Sequence, residues 1–253
     1  MNKKILLLLL IGFLTVNCSK SNDDNPASSS FSIKKNVGYS ANDILSASKF
    51  SSLVIDLMYV NGYKPTDETL VNLKSFIEER TYKTSVIIQP KEIDISLQNE
   101  YTLEEIDDIE DDNRSLFTSG NQLAISAIFI NGKSSKDTQE SKVLGAAYRN
   151  TSFVIFEETI RSNSDGPFEP NRVILESTVV LHEFCHLLGL VNRGTPMVGP
   201  HEDAENSSHC NVDQCLMYYK VENAYNVLNH TNTTDLPELD SFCLADLKAN
   251  GGR

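Results

Sequence analysis

Hydrophobic runs typical of strands alternate with helical patterns between about residue 50 and residue 190. Short β-branched runs that end at Asn-Gly or Pro predict strands, and apolar residues three or four positions apart predict helices. The predicted strands are residues 52–60, 85–89 (stopped by Pro90), 123–130, 143–148 and 152–156; the predicted helices open at Pro65, cover 102–112 from a capping box, and cover 172–189. The last helix carries the residues with the clearest chemistry.

That helix contains His-Glu-x-x-His within an apolar run. His182 and His186 are four residues apart, so on a helix both imidazoles lie on one face and can reach one metal ion. Glu183 points to a neighbouring flank, where it could polarise a metal-bound water. The alternative is a buried amphipathic helix whose histidines are merely hydrogen-bonded, because a five-residue pattern also arises by chance.

The amino terminus has the pattern of an export signal. A short basic head is followed by a twelve-residue apolar segment, Ile5 to Val16, which is too short to span a bilayer comfortably. Cys18 follows directly, and this order resembles a bacterial lipoprotein signal, although Thr15-Val16-Asn17 lacks the usual small residue. We therefore predict a signal peptide at 1–17, a lipidated flexible tether at 18–33 and a catalytic domain at 34–253.

Composition narrows the partners and the redox chemistry. The net charge of −13 argues against nucleic acid, because phosphate binding needs a basic surface. If Cys18 carries lipid, four cysteines remain, and an even number in an exported protein permits disulfides. Cys210 and Cys215 are close enough in sequence to pair, which is the disulfide that we predict. A Cys185–Cys243 pair is possible but has no support from sequence.

All five histidines lie between positions 182 and 230. Here the sequence resembles the metzincin metalloproteases, whose motif is His-Glu-x-x-His-x-x-Gly-x-x-His followed by a methionine-bearing turn. His182, Glu183, His186 and Gly189 match this motif. Asn192 stands where the third histidine would be, and an amide oxygen is a poor zinc ligand beside imidazole.

A later stretch supplies a candidate for the missing ligand. Residues 209–217 read His-Cys-x4-Cys-x-Met, which resembles the corresponding stretch of archaemetzincins. The resemblance implies that His209 is the third zinc ligand, that Met217 forms the Met-turn, and that residues 192–208 are an insertion. The structural zinc site of that family needs a later Cys-x-x-Cys, whereas this chain has only Cys243, which favours the Cys210–Cys215 disulfide.

Two assignments remain open from sequence. His201, in Pro200-His201-Glu202-Asp203, is the rival third ligand, while His230 is expected on the surface. Tyr219 stands two residues past Met217, where some metzincins have a tyrosine that contacts zinc or stabilises the oxyanion. It could equally be an ordinary packing residue.

The resemblance implies an α+β, zincin-like fold: a mixed five-stranded sheet, two long helices above the cleft and a small irregular C-terminal subdomain. It implies a zinc-dependent endopeptidase in which Glu183 is the general base, with peptides or proteins as substrates. The expected protein is a monomer, lipid-anchored at the outer membrane of the cell envelope, or secreted if Cys18 is not lipidated. The alternatives are a non-catalytic surface lipoprotein with a structural or degenerate zinc site, and a zinc hydrolase acting on a non-peptide amide.

Overall fold

The computed structural model describes residues 31–167, 169–222 and 235–253. The predicted signal peptide, Cys18, most of the tether and His230 lie outside the described residues. Within the described ranges no helix is both long enough and apolar enough to cross a bilayer.

A mixed five-stranded sheet organises the described chain, as the sequence predicts. Four strands run parallel, and the last runs antiparallel to its neighbour and forms one edge. Across the sheet the strands are β2 (Ser85–Ile93), β1 (Ser52–Val60), β4 (Gln122–Ile130), β7 (Ser152–Phe156) and β6 (Gly145–Arg149).

The inner strands are buried on both faces, which explains why they read as continuous apolar runs. Because side chains alternate across a strand, β1 sends Leu53, Ile55 and Leu57 into one core cluster. Met58 and Val60 belong to a second cluster. The sheet therefore lies between two apolar layers, the larger of which also contains the helix with the His-Glu-x-x-His pattern.

Six α-helices are described, together with a second sheet of two short strands and one 3-10 turn. Thr66 caps α2, and Thr102 forms the predicted capping box of α3 with Glu105. The helices are α1 (Ala41–Leu45), α2 (Asp67–Arg80), α3 (Leu103–Asn113), α4 (Glu157–Ser162), α5 (Arg172–Leu187) and α6 (Ser241–Ala249); the short strands are β3 (Glu100–Tyr101) and β5 (Lys133–Ser134), and the turn is Tyr219–Glu222.

The structure differs from the sequence prediction at β2 and at three short helices. The strand does not stop at Pro90 but continues to Ile93. It pairs only with β1 at the sheet edge, so the missing N–H of Pro90 costs the sheet no hydrogen bond on the outer side. The helices α1, α4 and α6 were not predicted, because five to nine residues give too few turns for a clear apolar period.

Helix α5 is fixed at both ends and buried between them. The Asn171 side chain accepts hydrogen bonds from the N–H groups of Val173 and Ile174, and every residue from 175 to 187 is buried. Gly189 has a φ of +71°, and a Cβ there would lie 2.7 Å from the Thr195 nitrogen. The chain thus leaves the helix at Gly189 through a left-handed turn that favours glycine.

Candidate metal centres

Three histidines from two parts of the chain come together at the end of α5. We call His182, His186 and His209 the histidine cluster; its ligand atoms lie within 4.8 Å of one another. The ring centroids are 4.8 Å apart for the two helix histidines, and 5.3 and 5.2 Å from each of these to His209. The helix supplies two rings one turn apart, and the loop after the insertion brings the third.

Backbone carbonyls set the tautomer of two of these rings. His182 Nδ1 lies 2.7 Å from the Leu216 carbonyl oxygen, and His209 Nδ1 lies 3.1 Å from that of Ser207. A carbonyl only accepts, so each Nδ1 carries the proton and each Nε2 carries the lone pair. Such an imidazole set, with second partners that fix the rings, fits a zinc ion.

Glu183 lies against the edge strand β6. One of its carboxylate oxygens, Oε2, accepts a hydrogen bond of 2.8 Å from the Ala147 backbone nitrogen. At Gly145 a Cβ would come within 2.8 Å of Glu183 Cγ and 3.0 Å of Val179 Cγ1. The strand can approach the carboxylate this closely only because position 145 has no side chain.

A cavity of about 250 Å³ opens beside this carboxylate. Glu183 and His186 line it together with Gly145 and with two basic residues, Lys136 and Arg193. Glu183 is the only carboxylate among the described residues that line the cavity. The candidate base and one candidate ligand therefore face the same solvent-accessible space, at the edge of the sheet.

The turn after the histidine cluster is held by backbone contacts. Met217 is fully buried, and its carbonyl accepts a hydrogen bond of 2.8 Å from the Cys210 nitrogen. Tyr219 begins the 3-10 turn that packs against α5, and its half-buried ring lies 4.8 Å from that of Tyr218. Nothing in these contacts gives Tyr219 a chemical role.

The two other candidates for the third ligand lie elsewhere. Asn192 is exposed, and its side-chain amide donates a hydrogen bond of 3.3 Å to Glu202. His201 is fully buried and does not join the histidine cluster. It faces a different set of ligand atoms.

That second set consists of one histidine and three cysteines. We call His201, Cys210, Cys215 and Cys243 the sulfur cluster. His201 Nδ1 lies 3.4 Å from Cys210 Sγ and 3.9 Å from Cys243 Sγ, and the sulfurs of Cys215 and Cys243 are 3.6 Å apart. A zinc tetrahedron built from Zn–S and Zn–N bonds of ordinary length has edges of about 3.6–3.8 Å. The spacing of the sulfur cluster thus suits a single ion.

The groups around the sulfur cluster support the same arrangement. His201 Nε2 lies 2.7 Å from Asp246 Oδ2, a carboxylate–histidine pair of the type that orients metal ligands. Cys215 Sγ accepts hydrogen bonds of 3.4 Å from the backbone nitrogens of Met217 and Asp240. Both contacts stabilise a negatively charged sulfur or a ring that binds metal.

The thiols of the sulfur cluster also shift one another's pKa values. Hydrogen bonds from Cys215 and Cys243 hold the pKa of Cys210 far below its ordinary value. Burial lowers the pKa of His201, but its hydrogen bonds with Cys210 and Asp246 outweigh burial, and the net pKa is raised. A low thiol pKa favours the thiolate, which is the form that binds metal.

Asp240 also reaches this cluster, 3.7 Å from Cys215 Sγ. Its carboxylate caps α6 by accepting a hydrogen bond of 2.9 Å from the Cys243 nitrogen. Since it already serves the helix terminus and sulfur is the softer donor, we assign the cluster to the three cysteines and His201.

The predicted Cys210–Cys215 disulfide is wrong. The four described cysteines are all thiols, and the Cys185–Cys243 alternative is absent too. Cys210 and Cys215 share their cluster with Cys243 from α6 and with His201 from the predicted insertion. Sequence separation alone did not reveal these partners. The pattern Asp240-x-x-Cys243-x-x-Asp246, with i, i+3 spacing on one helix face, was the available sign.

Comparison with known proteins gives one match, and it is structural. No protein-family model matches the chain, and no curated protein matches it. The crystal structure of an archaemetzincin from Methanopyrus kandleri superposes with a TM-score of 0.52 at 14% identity, covering 80% of this chain and 96% of that chain. The chain has a metzincin-like fold. At this identity the likeness supports the architecture alone, so the chemistry must be argued from the residues.

Proposed function

We propose that this protein is a zinc-dependent endopeptidase. The observation that carries the proposal is the convergence of His182, His186 and His209 beside Glu183, which is itself held against the open edge of the sheet. The metzincin-like fold is consistent with this function. His182, His186 and His209 would hold the ion, and a site with three protein ligands leaves a position for water.

When bound, zinc supplies Lewis acidity that lowers the pKa of water towards ~7 and polarises a carbonyl. Glu183 then acts as the general base. Its Oε2 is anchored by the Ala147 N–H, so the carboxylate is fixed in orientation while Oε1 takes the proton of the attacking water. The same carboxyl group returns that proton to the leaving amine.

The edge strand β6 positions the substrate in this proposal. In the described part of the chain it pairs only with β7, and its outer edge borders the cavity that contains Glu183. An extended peptide added to that edge would bring its carbonyl groups past the histidine cluster. Tyr219 is a candidate to stabilise the oxyanion, since its turn packs against α5.

The sulfur cluster is the candidate for a second, structural zinc. Four protein ligands close the coordination shell, so this ion would stabilise the fold and would not activate water. It would connect α6, the segment that carries His201, and the loop that carries His209. The family's second cysteine pair is absent here, and His201 and Cys243 would replace it.

The export and anchoring of the protein also remain proposals. They rest on the pattern at residues 1–18, where an apolar segment directly precedes Cys18. Mass spectrometry of the amino-terminal peptide from membranes of the native host would test them. A lipid-modified Cys18 supports anchoring at the cell envelope, and a peptide that begins elsewhere without lipid would contradict it. The expected monomer can be checked by light scattering.

The deciding experiment combines zinc analysis with proteolysis. Wild type should bind about two zinc ions per chain and cleave casein or gelatin. Glu183→Gln should keep both ions but lose about 10²- to 10⁴-fold in kcat/KM, whereas His182→Ala should lose one ion and all activity. Retained zinc without hydrolysis of any peptide would refute the peptidase and favour a binding lipoprotein. Hydrolysis of only non-peptide amides would place the same site in another class of hydrolase.

A further inference from the structure

Lys136 and Arg193 introduce positive charge into the cavity beside Glu183. The whole chain is acidic, with 35 Asp and Glu against 22 Lys and Arg. Most of the described basic side chains enter an ion pair, a hydrogen bond or a ring contact, whereas Lys136 and Arg193 enter none that the structure records. Two unneutralised cations thus border a cavity whose only carboxylate is Glu183.

The backbone that carries each cation is held in place. Ser135, next to Lys136, donates a backbone hydrogen bond of 2.8 Å to the Tyr101 carbonyl, which continues the β3–β5 pairing. Arg193 donates a backbone hydrogen bond of 3.2 Å to Gly189. A Cβ at Gly38 would overlap the Arg193 carbonyl oxygen, so the chain packs tightly there. Each side chain can therefore sample only the space around a fixed Cα.

The cavity itself suits a side chain of moderate size. Its volume of about 250 Å³ is bounded by Leu103 on one side and by Gly145 on another, where the strand presents no side chain. His186 also lines it, so a group bound there lies next to the reacting carbonyl. Charge near the reacting bond contributes to specificity because it acts in the transition state as well as in the ground state.

We infer that this cavity selects a carboxylate next to the scissile bond, so that the substrate class is acidic peptides. This inference rests on the proposed peptidase function. Lys136 and Arg193 are specificity-determining residues that contact the substrate carboxylate. The carboxylate has two possible sources, an Asp or Glu side chain that flanks the scissile bond or the peptide's own carboxyl terminus.

The test uses four fluorogenic peptides of one sequence. Two carry Glu or Gln in turn at the position after the scissile bond, and the other two end one residue after that bond as a free acid or as an amide. Both cations are exposed, and exposed ion pairs are individually weak, so we expect a preference of roughly three- to thirty-fold in kcat/KM. The preferred pair identifies the source of the carboxylate. The preference should shrink as salt is raised, because exposed charges are screened.

Matched variants identify the residues responsible. Lys136→Gln with Arg193→Gln should abolish the preference while leaving hydrolysis of the neutral peptides within about twofold of wild type. Lys248→Gln is the control, because Lys248 is also an exposed cation without a recorded side-chain partner but does not line the cavity. Equal rates for both pairs in wild type, or a preference that survives the double substitution, would overturn the inference.

A binding measurement separates this inference from the peptidase proposal. Zinc-loaded Glu183→Gln is titrated with the same peptides, and the affinities are compared by fluorescence anisotropy. Tighter binding of the acidic peptides, lost in the double variant, upholds the carboxylate site even if wild type cleaves nothing. Equal affinity for acidic and neutral peptides refutes it even if wild type is an active peptidase.

Discussion

His209 and Cys210 are consecutive residues, yet their side chains enter different clusters. His209 faces the two helix histidines, and Cys210 faces His201, 3.4 Å from its Nδ1. One peptide bond therefore joins the candidate catalytic ion to the candidate structural ion. If the loop is held on the Cys210 side, the position of His209 is restricted as well.

This connection predicts that damage to the sulfur cluster weakens the histidine cluster. Cys243→Ser should remove one zinc and lower the affinity of the remaining site by about 10- to 100-fold, because the third ligand is no longer held in place. Chelator competition measures that affinity. Cys185→Ala is the control, since it removes a buried thiol outside the sulfur cluster. If the remaining zinc is bound as tightly as in wild type, the two sites are independent.

A second prediction concerns Asp246, whose carboxylate lies 2.7 Å from His201. Asp246→Asn keeps the shape of the side chain but removes the charge that supports the ring. We expect the structural zinc to bind about 10- to 100-fold more weakly, with unchanged zinc in the histidine cluster. Metal titration of both sites checks this. No change in either affinity would mean that Asp246 serves only its hydrogen bond of 2.6 Å from Val198.

Gly145→Ala tests whether the edge strand positions the general base. The added methyl group would lie 2.8 Å from Glu183 Cγ, so either the carboxylate or the strand must move. We expect kcat/KM to fall at least about tenfold with zinc retained, because small displacements of a catalytic group are costly. Gly199→Ala is a matched control, as a Cβ there meets only Phe242 ring carbons at 3.5 Å. Wild-type activity in Gly145→Ala would show that the contact does not matter.

The pH dependence of stability should depend on Glu157, which contacts Arg172 at the start of α5. Burial and then the Glu176 carboxylate raise the pKa of Glu157 from 4.5 to about 8 in the folded protein. The folded state therefore holds more protons in this range, so its stability is complete below pH 4.5 and declines as pH rises towards 8.

Over that window the loss should be about 3 kcal/mol. Urea unfolding of wild type and Glu157→Gln measures it, since the glutamine cannot titrate and should flatten the slope. Glu78→Gln, at an exposed position of α2, should leave the slope as in wild type. Parallel pH profiles for wild type and Glu157→Gln would refute the shift.

Much of the fold could be predicted because its inner strands and long helices have strong local patterns. Helix α5 is an example, with Asn171 before it, Gly189 after it and an apolar run between. The sulfur cluster could not be predicted, since His201 and Cys243 are 42 positions apart and only folding brings them together. Sequence offered proximity along the chain as the one measure of distance, which favoured a Cys210–Cys215 pair.

The segment between Gly189 and His209 has a consequence for how related proteins are recognised. Search patterns count residues between ligands, and this chain fails any pattern with a fixed interval after Gly189. Yet the same segment contributes His201 to the sulfur cluster. Homologues are therefore better sought by requiring His-Glu-x-x-His-x-x-Gly and His-Cys-x4-Cys-x-Met with a variable interval, and then asking whether a histidine lies inside that interval wherever the second Cys-x-x-Cys is missing.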